Sequence, residues 1–171
     1  MLQEDSDIIS YSTADNQRMW QLGDCAEVFL KNKTSDDYWE IHVTPNAHLM
    51  DIHIPDREGF GMDKWDEVVA AESGTEYRVS VGEGSWAAEL LVPFAALGLD
   101  GPPAAGTYWQ WHVGRYNSTS DQKLREDGTI GGSAENSSTA PLTASGFHRH
   151  EEFNQLYFDG KEQAAGAGAK L

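Results

Sequence analysis

Short apolar or alternating runs recur along the chain, separated by Gly, Pro, Asn and Asp. This is the pattern of antiparallel strands rather than of helices. Residues 24–31 (DCAEVFLK) predict a strand with Cys25, Glu27 and Phe29 on one face and Ala26, Val28 and Leu30 on the other, because side chains alternate along a strand. After the turn Asn32–Asp37, residues 38–44 (YWEIHVT) predict a second strand. In it Trp39, Ile41 and Val43 read as the core face, and Tyr38, Glu40 and His42 point the other way. Residues 48–54 predict a third strand, after the Pro45-Asn46 turn. Residues 76–81 and 86–92 flank Gly82-Glu83-Gly84-Ser85, a hairpin signal. Residues 107–116 and 153–158 predict two more strands, the first the most aromatic of all.

Helical signals are few. Residues 93–98 can make one turn ended by Gly98, and 64–71 (KWDEVVAA) form a weakly patterned helix. Residues 117–146 are polar and rich in Gly, Ser and Thr, and read as a long loop. Strands of this length with regular turn signals predict an all-β fold, an antiparallel, jelly-roll-like β-sandwich with long loops. Residues 1–159 make one domain, and 160–171 read as a low-complexity tail.

Composition narrows the partners. A formal net charge of −16 repels phosphate backbones and anionic membrane surfaces. It suits a solvated acidic surface or carboxylates gathered around Ca²⁺. The one cysteine, Cys25, excludes both a disulfide framework and a Cys-based zinc site within one chain. In an apolar run it reads as a small buried residue. The N-terminus is acidic where a signal peptide would be basic, and no apolar run approaches the about 18 residues of a membrane helix. Six tryptophans exceed what a small core needs, so some can form recognition surfaces.

Five segments in order carry a resemblance. Trp20-Gln-Leu-Gly-Asp24-Cys-Ala-Glu27 leads into Tyr38-Trp-Glu40-Ile-His-Val-Thr-Pro-Asn46. Then come Trp86-Ala-Ala-Glu89-Leu-Leu-Val-Pro93-Phe94-Ala-Ala-Leu97-Gly98, Gly106-Thr-Tyr-Trp109 to Arg115, and Phe147 to Phe158. Together they resemble family-9 carbohydrate-binding modules, over about residues 5–158. The resemblance implies a non-catalytic β-sandwich that binds mono- or oligosaccharides, sits beside glycan-degrading enzymes outside the cell or in the periplasm, and often carries structural Ca²⁺. It implies that Trp20 and Phe147 stack on a sugar ring while Glu27, Arg115 and Asn117 grip its hydroxyls. Two positions depart from the pattern: Phe147 stands where the family has Trp, and His112 where it has Asn. The family also has strands ahead of the Asp-rich segment, so an open sheet edge is expected to be able to pair with a second copy.

Other candidates rest on the residues alone. Glu27 and Glu40 on neighbouring strands could form the carboxylate pair of a glycosidase, the alternative function. Glu89 reads as a structural carboxylate facing an Arg or Lys. His148-x-His150, with His42, His53 and His112, suggests a transition-metal or haem site without a fixed ligand set. Asp5 and Asp7, in Glu4-Asp5-Ser6-Asp7, are the candidate Ca²⁺ ligands. Asn32, Asn117 and Asn136 open glycosylation sequons.

Overall fold

Every predicted strand forms, and all pair antiparallel. The computed structural model describes residues 7–58, 60–69, 72–119, 122–132 and 134–159. The strands are β1 (Cys25–Asn32), β2 (Tyr38–Val43), β3 (Leu49–Ile54), β4 (Glu76–Gly82), β5 (Ser85–Leu91), β6 (Tyr108–Asn117), β7 (Glu135–Ser138) and β8 (Asn154–Tyr157). The main sheet runs β3-β2-β1-β6-β7, and β8 shares the outer side of β6 with β7. β7 pairs with the end of β6 and β8 with its beginning. β4 and β5 make a separate hairpin. Its turn is Glu83-Gly84, with Gly84 at φ +67° as a two-residue loop requires. Arg78 lies opposite Glu89 in that register, the oppositely charged cross-strand neighbour expected for Glu89.

The two faces of the main sheet are covered differently. β1 keeps the predicted alternation, with Cys25, Glu27, Phe29 and Lys31 buried and the residues between them half-buried. One face carries Cys25, Phe29, Tyr38, Met50, Ile52 and Ile54, and packs with Met19, Trp65, Val68, Phe147 and Phe153 into the core cluster. Those last residues come from loops, short helical turns and one four-residue helix, α1 (Trp65–Val68). The other face carries Trp39, Ile41, Val43 and Trp109, and the turn after β5 lies over it, where Trp39 Nε1 donates to Ala96 O at 3.0 Å.

Three expectations change. β2 is buried on both faces, so Tyr38, Glu40 and His42 do not point to solvent. A strand with neighbours on both sides and cover on both faces has no exposed face. Helix 64–71 shortens to α1 behind a 3-10 turn at Met62–Lys64. The long loop contains β7, whose sequence ENSS is polar because all four residues are exposed. The tail 160–171 lies outside the described residues.

Asp24 fastens the sheet at the site end. It is fully buried, and its carboxylate accepts from Ile9 N at 3.1 Å and Ser118 N at 2.6 Å. This joins the segment before β1 to the residue after β6. Asp24→Ala would orphan two backbone donors, with an expected loss of about 2–3 kcal/mol of stability. A lower urea midpoint at unchanged slope would show it; an unshifted midpoint would refute it.

Candidate functional site

Strand parity decides which side chains meet. Glu27 lies opposite His42 on β2 and opposite Gly114 on β6. Glu27, Glu40, His42, His112, Gly114 and Tyr116 therefore share one face, and Arg115 and Asn117 lie on the other. Above that face come Trp20 from the 3-10 turn Met19–Gln21, Phe60 and Trp65, and Phe147 with His148. They enclose a pocket of about 230 Å³ over Glu27 and Glu40. Larger hollows of about 430, 380 and 450 Å³ open beside His53, beside Trp20 and Tyr116, and beside Trp109, but none lies over a pair of buried carboxylates.

Trp20 is half-buried and meets Trp65 edge-on at 5.2 Å between ring centroids and His42 at 5.6 Å. Phe147 is 7% exposed, so it offers only a rim to the pocket. It can lie this deep because Gly114 has no side chain: a Cβ there would stand 2.5 Å from the Phe147 ring. The ring also packs against His112 at 5.2 Å and edge-on to Tyr116 at 5.4 Å. Gly114→Ala should dislodge Phe147 and lower stability by about 1–3 kcal/mol through overpacking. In thermal melts, Phe147→Leu should recover part of that loss in the double variant. Strictly additive effects would mean the two positions do not touch.

The floor is a chain of polar groups. His42 Nε2 is 2.5 Å from Glu40 Oε1, and His42 Nδ1 is 3.3 Å from Glu27 Oε1. Glu40 Oε2 lies 3.7 Å from His148 Nε2, and His148 Nδ1 lies 2.8 Å from the Tyr38 hydroxyl. Burial pushes the Glu27 carboxyl up, and the Glu40 charge beside it pushes it further. Burial also pushes Glu40 up, but the His42 hydrogen bond and the charges on His42 and His148 outweigh it and leave Glu40 below its usual range. One of the two neighbouring carboxyls thus keeps its proton more readily than the other.

His112 is a second buried imidazole under Phe147. It stacks on Phe29 at 5.3 Å and 22° and packs on Phe153 at 5.1 Å. Ser138 Oγ donates to Ala140 O at 2.7 Å, so His112 Nδ1–H donates to Ser138 Oγ at 3.2 Å. Burial, then the His148 charge, push its pKa down to about 4. The unfolded chain then binds the proton more readily, so this ring should make stability rise with pH between about 4 and 6.5. His112→Gln should flatten the thermal midpoint in that window. An unchanged slope would show that His112 is not the group responsible.

Of the predicted ligand residues, Trp20, Glu27 and Phe147 come together and Arg115 and Asn117 stay apart from them. Arg115 Nη2 donates to Asn117 Oδ1 at 2.7 Å, and Asn117 lies 3.5 Å from Glu135. Phe60, Trp65, Glu40 and His148 join the site instead. The His148/His150 pair splits: His148 bonds Tyr38, while His150 Nδ1 lies 3.9 Å from Glu151. Of the candidate Ca²⁺ ligands, Asp5 lies outside the described residues and Asp7 is exposed. No described helix is long and apolar enough to cross a membrane.

The fold is an all-β, sandwich-like one in which loops complete one layer. It is similar to that of a crystal structure of a "putative carbohydrate-binding protein" from Bacteroides uniformis, with a TM-score of 0.61 and 15% identity over 91% of this chain and 69% of that one. No family model matches the chain, and no curated protein matches it.

Proposed function

We propose that the chain binds a carbohydrate without cleaving it, taking one pyranose ring into the pocket beneath Trp20. The observation that carries this reading is the pocket itself, aromatic rings standing over the two buried carboxylates Glu27 and Glu40. A pyranose has apolar C–H faces for rings and hydroxyls for carboxylates. A carboxyl that keeps its proton offers a donor, and an ionised one offers only acceptors, so Glu27 and Glu40 suit different hydroxyls. The volume is below the about 300–1,000 Å³ of sites for drug-sized ligands, which favours a single ring, such as a chain end, over a long glycan. The similarity in fold to the Bacteroides uniformis protein supports the same reading. An acidic surface and a glycan ligand fit an extracellular or periplasmic setting.

The opposite protonation preferences of Glu27 and Glu40 also fit a glycosidase, which needs one acid and one base or nucleophile. The geometry favours binding. Both carboxyls flank the same His42 ring on one sheet face, whereas hydrolysis needs them on opposite sides of the scissile bond.

Titrating tryptophan fluorescence with glucose, cellobiose, xylose and xylo-oligosaccharides should give a saturable change with at least one sugar. Trp20→Ala should abolish it, and Glu27→Gln should weaken binding at least tenfold. No response to any sugar overturns the proposal. Release of reducing sugar that disappears in Glu27→Gln would replace it with the hydrolase.

A further inference from the structure

The polar floor has one feature that sugar binding does not require. Cys25 and Glu27 are two apart on β1 and so share a face, and Glu27 faces His42 directly across the β1/β2 ladder. All three side chains are buried, and one donor atom from each lies within 4.8 Å of the others. Among the described residues this is the one grouping of three such donors.

The His42 ring is oriented as a metal ligand is. Its Nε2 sits 2.5 Å from the Glu40 carboxylate, which holds a proton on Nε2, so that the neutral ring, once the proton giving it its charge has left, carries its lone pair on Nδ1. That Nδ1 is buried without a hydrogen-bond partner among the described residues, although Glu27 Oε1 is only 3.3 Å away. Two ligands held at about 2.0–2.1 Å on one tetrahedral ion stand about 3.3 Å apart. A carboxylate on the far nitrogen is the usual outer partner of a metal-bound histidine. The lining of the pocket above includes no Lys or Arg, and Arg115 faces away from it.

We propose that Cys25 Sγ, His42 Nδ1 and a Glu27 oxygen bind one divalent ion of the zinc class, with Glu40 positioning the imidazole. A thiolate, an imidazole and a carboxylate suit Zn²⁺ or Co²⁺ and not Ca²⁺ or Mg²⁺. Three protein ligands leave a fourth position open. The single cysteine excludes a site built on cysteines, as expected from the sequence, but the grouping of Cys25 with Glu27 and His42 allows a mixed one that the cysteine count alone does not foresee. The competing occupant is a proton on Glu27 shared with His42. The metal site does not rest on the sugar reading.

The test uses the full chain, reduced and treated with chelator, titrated with Co²⁺. One equivalent should bring up a thiolate-to-cobalt charge-transfer band in the near ultraviolet, with visible bands of tetrahedral intensity, and Zn²⁺ should bleach both. Since Cys25 is the only cysteine, a thiolate band from the monomeric protein reports that residue alone. Cys25→Ala should remove the band, and Glu40→Gln should weaken cobalt binding about 10–100-fold, each with native circular dichroism. Folded wild-type protein that binds no cobalt, or binds it without a thiolate band, overturns the proposal, and the wild-type result stands even if a variant fails to fold. Sugar titrations with and without metal keep the two readings separate: loss of the sugar response leaves the cobalt result intact, and the reverse holds.

Discussion

The structure depends on covering a sheet in which the inner strand β2 has no solvent face. β2 buries all six of its residues, so both sides of the sheet must be closed. On one side the turn after β5 contributes to the cover. On the other side, among the described residues, no sheet does this work. The cover is assembled from Met19–Gln21, Phe60, α1 and the segment around Phe147. Loops close a surface less evenly than a second sheet would, because each brings one or two large side chains on irregular backbone. The gap between Trp20, Trp65 and Phe147 is where that cover fails to meet, and the site lies under it.

Polar groups beneath such a gap are costly unless they satisfy one another. Glu40, His42, His148 and Tyr38 do so in part, while the imidazole of His42 stands between two carboxyls and its Nδ1 makes no hydrogen bond to Glu27. Burial acts on both carboxyls in the same direction; the histidines act strongly on only one, and this produces the asymmetry between Glu27 and Glu40. Such an arrangement contributes little to stability compared with an apolar substitute of the same volume. At the base of the pocket, the unpaired Nδ1 of His42 is the atom that the proposed ion would engage.

The strand pattern locates seven of the eight strands, and the alternation in β1 correctly separates Glu27 from Ala26 and Val28. β2 is harder to read, because Glu40 and His42 are polar for the sake of each other and alternation translates polarity into exposure. β7 escapes notice because its exposed ENSS carries no apolar face. At the site, Trp20, Glu27 and Phe147 are legible from the resemblance, and the structure brings them to one pocket. Arg115 and Asn117 are not placed there, and parity explains why: with Gly114 opposite Glu27, the odd-numbered residues at the end of β6 face away. Phe60 and Trp65 carry no local signal, since their role comes from a long-range fold-back of the chain onto β3 and β2.

Phe147 shows how one glycine sets the character of the pocket. With Gly114 beneath it the ring sinks against His112 and leaves Trp20 as the more accessible of the two aromatic rings. A sugar entering here would meet a face from Trp20 and an edge from Phe147, not two equal plates. Stacking area on one side is thereby reduced, and more of the discrimination falls on Glu27, Glu40 and His148. Hydrogen-bonding groups reject a ligand lacking the matching hydroxyl far more strongly than an apolar wall rejects a change of shape. In the proposed sugar site, the buried polar floor rather than the aromatic rim would therefore set the specificity.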